Sequence, residues 1–359
     1  VAKLLVAAEN PVILASRAAR TPAGLKLMVD LAEALQAGVV DSRRRLNFPT
    51  RHPLNGGSLG QADVVLALEG GDIANVARQA RQRNAKVVSI TAQHLFQRSN
   101  YQDFQRYAEV DMSVAADAEA SLPALIEEVR RLTTDARREA FRQRGVRVTE
   151  ANRRALEQAR VDASNGWDAS PVSTARLSME LWAQLKNEDW SYVTGWVNWP
   201  LRLWDFTQHH QFIGRAGAEG VGYHAPASVG AALANKKHGR ISVSIQPDGD
   251  LMVAPGALWT AAKYQVPILI VMQNNRAYHQ EVMWFQRAAL MRGRSLERLQ
   301  DGFGLGDPNI DFAKMAESLG LGSSGPISDP KELAAAIRRG IDVVKRGEPY
   351  LIDVVTQPR

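Results

Sequence analysis

The sequence predicts an α/β protein built from two doubly wound parallel-sheet domains. Three observations carry that expectation. Short apolar runs alternate with amphipathic stretches over residues 1–132, and the same alternation resumes from residue 171 to the C-terminus. Between the two blocks lies a charged stretch, residues 133–170, that predicts a helical linker. In the second block, Asp248 and the pair Asn274-Asn275 each follow a strand-like run, at the carboxyl ends of successive strands. Ligands bind at that edge in open α/β sheets.

The elements follow in order. Pro11–Ala15 is a strand, residues 23–35 an amphipathic helix and residues 37–41 a second strand. Residues 62–68 form a third strand, ending in Glu69-Gly70-Gly71-Asp72, and a helix over residues 73–83 leads into the strand 85–90. Residues 112–115 are a strand and residues 120–132 a helix. Strand–helix alternation with short loops implies a parallel sheet covered on both faces. Gly70-Gly71 invites a dinucleotide reading, but the Gly-x-Gly-x-x-Gly fingerprint is missing. Small residues at a strand end also serve close packing.

The second block opens with a helix over residues 173–185 and a strand over 190–194. Ile241–Ile245 is the strand before Pro247-Asp248-Gly249-Asp250, residues 251–264 are one helix, and Val266–Met272 is a buried strand before Asn274. Residues 311–319 and 330–345 are helices, and Tyr350–Val355 is the last strand.

Bulk properties bound the function. With 359 residues the chain holds two real cores, and 45% hydrophobic and 23% charged residues are ordinary for a globular protein. Cysteine is absent, which excludes disulfides, thiolate metal sites and a cysteine nucleophile. No run approaches the roughly eighteen apolar residues of a membrane helix, and no signal peptide opens the chain, so a cytoplasmic protein is expected. The net charge of +6 is scattered, with its densest arginines in residues 138–160 among glutamates. No aromatic ladder accompanies them, so nucleic acid is not an expected partner.

Asp248 on one strand end and Asn275 on the next are the oxygen donors that a magnesium ion on a diphosphate needs. A plain turn is the alternative for Asn274-Asn275. The two motifs resemble the signature of thiamine-diphosphate (ThDP) enzymes, in which Gly-Asp-Gly is followed, a helix and strand later, by Asn-Asn. Residues 220–230, Gly-Val-Gly-Tyr-His-Ala-Pro-Ala-Ser-Val-Gly, resemble the Gly-rich segment that precedes the signature in the acetolactate synthase, benzoylformate decarboxylase and 2-hydroxyacyl-CoA lyase group. One departure is Pro247 in place of the first signature glycine; it is tolerated only where that amide is neither bonded nor left-handed.

The resemblance implies a Rossmann-like middle domain over residues 1–132, where His52-Pro53-Leu54 and Ala62-Asp63-Val64 also match, and a ThDP diphosphate-binding domain over residues 171–359. The middle domain holds FAD or a CoA nucleotide in some members; an empty structural domain is expected here. The resemblance assigns magnesium to Asp248, Asn275 and the Ala277 carbonyl, and the diphosphate to Gly249 and Asp250. The Asp250 carboxylate, an odd neighbour for an anion, is expected to cap the following helix on the Met252 or Val253 N–H. Val221 would support the folded cofactor, with plain core packing as the alternative. Glu281 is the candidate proton donor and His279 its rival, the alternative for each being a surface residue at a helix start. His209 and His210 are expected to pack or to line substrate. Met283, Trp284 and Phe285 suggest an apolar pocket or lid, or core packing.

The implied activity is ThDP-dependent cleavage or formation of a C–C bond beside a carbonyl, on 2-keto acid or 2-hydroxyacyl substrates. A catalytically silent subunit with an assembly or regulatory role is the other reading. The pyrimidine-binding domain of the group has no counterpart here, so it is expected from a missing N-terminal segment or another chain. A homodimer or homotetramer would then complete the site.

Overall fold

The structure, a computed structural model, describes residues 1–42, 45–71, 73–92, 109–194, 199–214 and 221–358. Asp72 and Gly220 lie outside the described residues. The chain divides into two compact units, Val1–Ala159 with Asp205–Phe212, and Arg160–Trp204 with Ile213–Arg359.

The first unit contains α1 (Ala2–Ala7), β1 (Pro11–Ala15), α2 (Pro22–Leu35), β2 (Gly38–Asp41), β3 (Val64–Leu68), α3 (Ile73–Arg81), β4 (Lys86–Thr91), β5 (Met112–Ala115) and α4 (Ala118–Leu132). Its strands form a parallel sheet in the order β2-β1-β3-β4-β5. Every residue of β1 and β3 is buried, which is why both read as unbroken apolar runs. Val12, Leu14, Val65 and Ala67 face α3, where they meet Ile73, Val76, Ala77 and Ala80. The Thr21 hydroxyl caps α2 by accepting the Gly24 N–H, ahead of Pro22 in the first turn. Glu69, at the tip of β3, is buried and accepts from the Thr91 hydroxyl at 2.8 Å and the Ala118 N–H at 3.2 Å. Its carboxylate therefore ties two strand tips to the start of α4. The long helix α5 (Asp135–Ser164) follows.

The second unit contains α6 (Thr174–Leu185), β6 (Trp190–Thr194), α7 (His224–Lys236), β7 (Ile241–Pro247), α8 (Asp248–Val253), α9 (Gly256–Lys263), β8 (Ile268–Asn274), α10 (His279–Met291), α11 (Phe312–Ser318), β9 (Gly322–Ile327), α12 (Leu333–Lys345) and β10 (Tyr350–Val355). Its parallel sheet runs β6-β7-β8-β10-β9. The α/β class with two parallel sheets is as expected. One core joins Ile268, Ile270 and Met272 of β8 to Val229 and Ala232 of α7, Leu258 and Ala261 of α9, and Phe312 and Ala316 of α11.

Two elements differ from expectation. Residues 251–264 are not one helix: α8 ends at Val253 and α9 begins at Gly256. Pro255 between them has no N–H to continue the ladder. β9, with its Gly-Ser-Ser-Gly-Pro-Ile sequence, is not among the expected strands and forms the edge strand beside β10. An edge position is where a sheet tolerates Gly and Pro. Among the described residues no helix is long and apolar enough to cross a membrane.

Candidate functional site

β7 and β8 pair with Gln246 opposite Met272 and Pro247 opposite Gln273. That register brings Asp248 and Asn275 to the same edge of the sheet. Pro247 has φ −66° and ψ 144°, extended backbone that its ring favours, so proline fits where the signature has glycine.

The Asp248 side chain is buried, at 2% exposure. Its Oδ1 accepts the Gly249 N–H at 2.8 Å and its Oδ2 accepts the Ala277 N–H at 3.3 Å. Asn275 Oδ1 accepts the same Ala277 N–H at 3.1 Å. The two side-chain oxygens therefore converge on one point. Arg276, in the left-handed region at φ 60°, turns the chain back to bring Ala277 there.

Ala277 then forms an isolated antiparallel bridge with Gly304. The bridging bonds run from Tyr278 N–H to Phe303 O at 2.8 Å and from Leu305 N–H to Arg276 O at 2.7 Å. Ala277 and Gly304 are thus a non-hydrogen-bonded pair, whose own N–H and C=O groups face away from each other's strand. The Ala277 N–H serves the two side chains, and its carbonyl is left outside the bridge.

Burial pushes the Asp248 carboxyl up to about 6, while backbone donors at Gly249, Arg276 and Ala277 pull the other way. A buried carboxylate, an amide oxygen and a carbonyl outside the bridge make an all-oxygen set that suits a hard divalent cation. Among the described residues no group of three or more His, Cys, Asp and Glu could hold a metal, so a site here is of this mixed kind.

Asp250 departs from expectation. It is the third residue of α8, not its cap, and its carboxylate turns back onto the Gly-rich segment. Burial raises its pKa, but hydrogen bonds from His224, Gln246 and Gly222 outweigh that and hold it below the ordinary carboxylate value. At Gly249 the Tyr278 ring packs so closely that a Cβ would stand 2.4 Å from its Cε1.

Val221 is 58% exposed, which removes core packing as its explanation. His279 and Glu281 open α10, both partly buried. Met283, Trp284 and Phe285 are exposed and are not core residues. His209 and His210 belong to the first unit, where burial lowers the His209 pKa and its Nε2 lies 3.2 Å from the Ala19 carbonyl oxygen.

Two buried residues escaped the sequence reading. Asp353, fully buried on β10, accepts from Asn274 Nδ2 at 3.0 Å and from the Phe312 N–H at 3.1 Å. Asn274 is thereby turned into the core, while its neighbour Asn275 faces Ala277. His224, 3% exposed, has Nδ1 at 3.1 Å from Asp250 Oδ1. Only the oddity of Asp250 beside an anion site signalled the second; nothing in the sequence signalled the first.

Residues 194–354 match the family described as thiamine pyrophosphate enzyme, C-terminal TPP binding domain. That stretch, just under half of the chain, is similar to the C-terminal TPP-binding domain of thiamine pyrophosphate enzymes. The ThDP-enzyme resemblance is borne out by relatives as well. The chain is 23% identical to a probable acetolactate synthase large subunit of Methanococcus aeolicus, over 99% of this chain and 59% of that protein. It is 31% identical to a benzoylformate decarboxylase of Pseudomonas aeruginosa, over 39% of this chain and 24% of that one. In fold it is similar to the thiamine diphosphate-dependent 4-hydroxybenzoylformate decarboxylase of Rhodococcus jostii RHA1, with TM-score 0.71 and 20% identity, over 100% of this chain and 63% of that one. The chain thus spans about six-tenths of the length of the relatives that it matches throughout.

Proposed function

We propose that this protein holds ThDP through a magnesium ion ligated by Asp248, Asn275 and the Ala277 carbonyl, and cleaves or forms a C–C bond next to a carbonyl of a 2-keto acid or 2-hydroxyacyl substrate. The observation that carries this reading is the convergence of Asp248 Oδ2 and Asn275 Oδ1 on one N–H at the tips of adjacent strands. Kinship with acetolactate synthases and a benzoylformate decarboxylase supports the substrate class.

When bound, ThDP supplies the electron sink for the bond next to the carbonyl. The chain's own residues bind and orient. The backbone of Gly249 and Asp250, at the start of α8, would hold the diphosphate, and exposed Val221 would support the cofactor's rings. Glu281 delivers a proton to the product carbon, with His279 beside it in sequence as the rival donor. Exposed Met283 (48%), Trp284 (62%) and Phe285 (57%) form an apolar surface on α10 that supports assembly with a second copy or with a pyrimidine-binding domain.

The test is thermal unfolding of the full-length protein with MgCl2 and ThDP, followed by CO2 release from a panel of 2-keto acids. A stabilising shift that needs both additives, together with ThDP-dependent CO2 release, is expected. Absence of any shift would refute the cofactor, and a shift without turnover on any 2-keto or 2-hydroxyacyl compound would leave a silent subunit.

A further inference from the structure

The Asp250 carboxylate, expected to cap the following helix, instead turns back onto the segment that leads into α7. Asp250 is 6% exposed. Its Oδ1 accepts the Gly222 N–H at 2.8 Å, and its Oδ2 accepts the His224 N–H at 3.2 Å and Gln246 Nε2 at 2.9 Å. His224 Nδ1 lies 3.1 Å from Oδ1. Three donors from two separate segments thus meet on one buried carboxylate. Gly222 adds a second close fit: its φ is +93°, and a Cβ there would stand 2.7 Å from Val253 Cγ1 of α8. Both contacts hold the segment leading into α7 against α8.

We propose that Asp250 is a positioning residue: it clamps Gly222 and His224 to the tip of β7 and so fixes Val221 at a set distance from Asp248. The inference rests on the ThDP reading, in which Val221 meets the ring end of the cofactor and Asp248 holds its diphosphate end. Asp250 touches neither end through its carboxylate; it sets their separation. Such a clamp matters only to a ligand long enough to span both ends. A ligand confined to the diphosphate end needs only Asp248, Asn275, Ala277 and the backbone at the start of α8, none of which depends on the Asp250 carboxylate.

Calorimetric titration of ThDP and of inorganic pyrophosphate, each with MgCl2, into wild-type protein and Asp250→Asn tests this. Asparagine keeps one acceptor but turns an NH2 toward the donors now shared by the other oxygen. ThDP affinity is expected to fall about tenfold or more, the scale of a lost charged hydrogen bond, with pyrophosphate affinity within about twofold of wild type. Equal losses for both ligands, or no loss for either, overturn the positioning role. Wild-type protein that binds neither ligand refutes the cofactor reading itself. Should Asp250→Asn fail to fold, Gln246→Met removes one donor and keeps the carboxylate, and is expected to weaken ThDP severalfold and pyrophosphate not at all.

Discussion

Asp248 and Asn275 share a single hydrogen-bond donor, the Ala277 N–H, at 3.3 Å and 3.1 Å. One residue ends the β7 side of the sheet and the other the β8 side, so the sheet itself sets their separation. Two acceptors on one weakly held donor are an arrangement that a cation between them would improve, because both oxygens carry lone pairs beyond the one they offer Ala277.

Loss of either proposed ligand should therefore cost the cofactor more than the fold. Asp248→Ala and Asn275→Ala are each expected to weaken ThDP binding in MgCl2 by about 100-fold or more, since a ligand outweighs the 10- to 100-fold of an outer-shell partner. Titration calorimetry measures this, and wild-type affinity in Asp248→Ala would remove the metal assignment.

Burial raises Asp353 from 3.8 to about 6 in the folded chain. A raised folded value means that the contribution to stability is fully present below about 3.8 and is lost as pH rises through about 6. Asp353→Asn removes that loss. Its amide can donate to Asn274 Oδ1 once the Asn274 side chain flips, and its oxygen can keep the Phe312 N–H. Relative to this variant, wild type should lose up to about 3 kcal/mol between pH 4 and pH 8, from about 1.4 kcal/mol per pKa unit. Parallel pH profiles of urea unfolding for the two proteins would expose a wrong sign.

Gly249 has no room for a methyl group, because the Tyr278 ring covers it. Gly249→Ala is expected to destabilise the protein by about 1–3 kcal/mol through overpacking. Adding Tyr278→Ala should recover most of that, giving a coupling energy in a double-mutant cycle. Additive effects of the two changes would mean that the contact is not the cause.

Glu281 opens α10 just beyond the ligand loop. Glu281→Gln keeps shape and removes the proton, so kcat is expected to fall about 100-fold or more with ThDP affinity unchanged. If turnover instead survives in Glu281→Gln and collapses in His279→Gln, the donor is His279.

The strands β1, β3, β7, β8 and β10 were legible because strands buried on both faces are largely apolar, although β7 also buries Ser242, Ser244 and Gln246 and β10 buries Asp353. Asp248 and Asn275 were legible because they punctuate two of those strands. β9 was not, since its Gly and Pro residues have no strand preference of their own and are held by pairing with β10. The single helix expected over residues 251–264 failed at Pro255, whose local veto on hydrogen bonding outweighed the apolar pattern around it.

By itself, then, the sequence determined which strands are buried and which polar residues stand at their ends, because both are local properties with a fixed period. Only the tertiary structure decided where those polar groups point. Asp250 turned from a helix cap to the Gly222 and His224 amides, and Asn274 turned inward to Asp353 on another strand. The physical reason is that a buried polar group takes whichever donors the packed sheet brings within reach, and those lie far away in the chain.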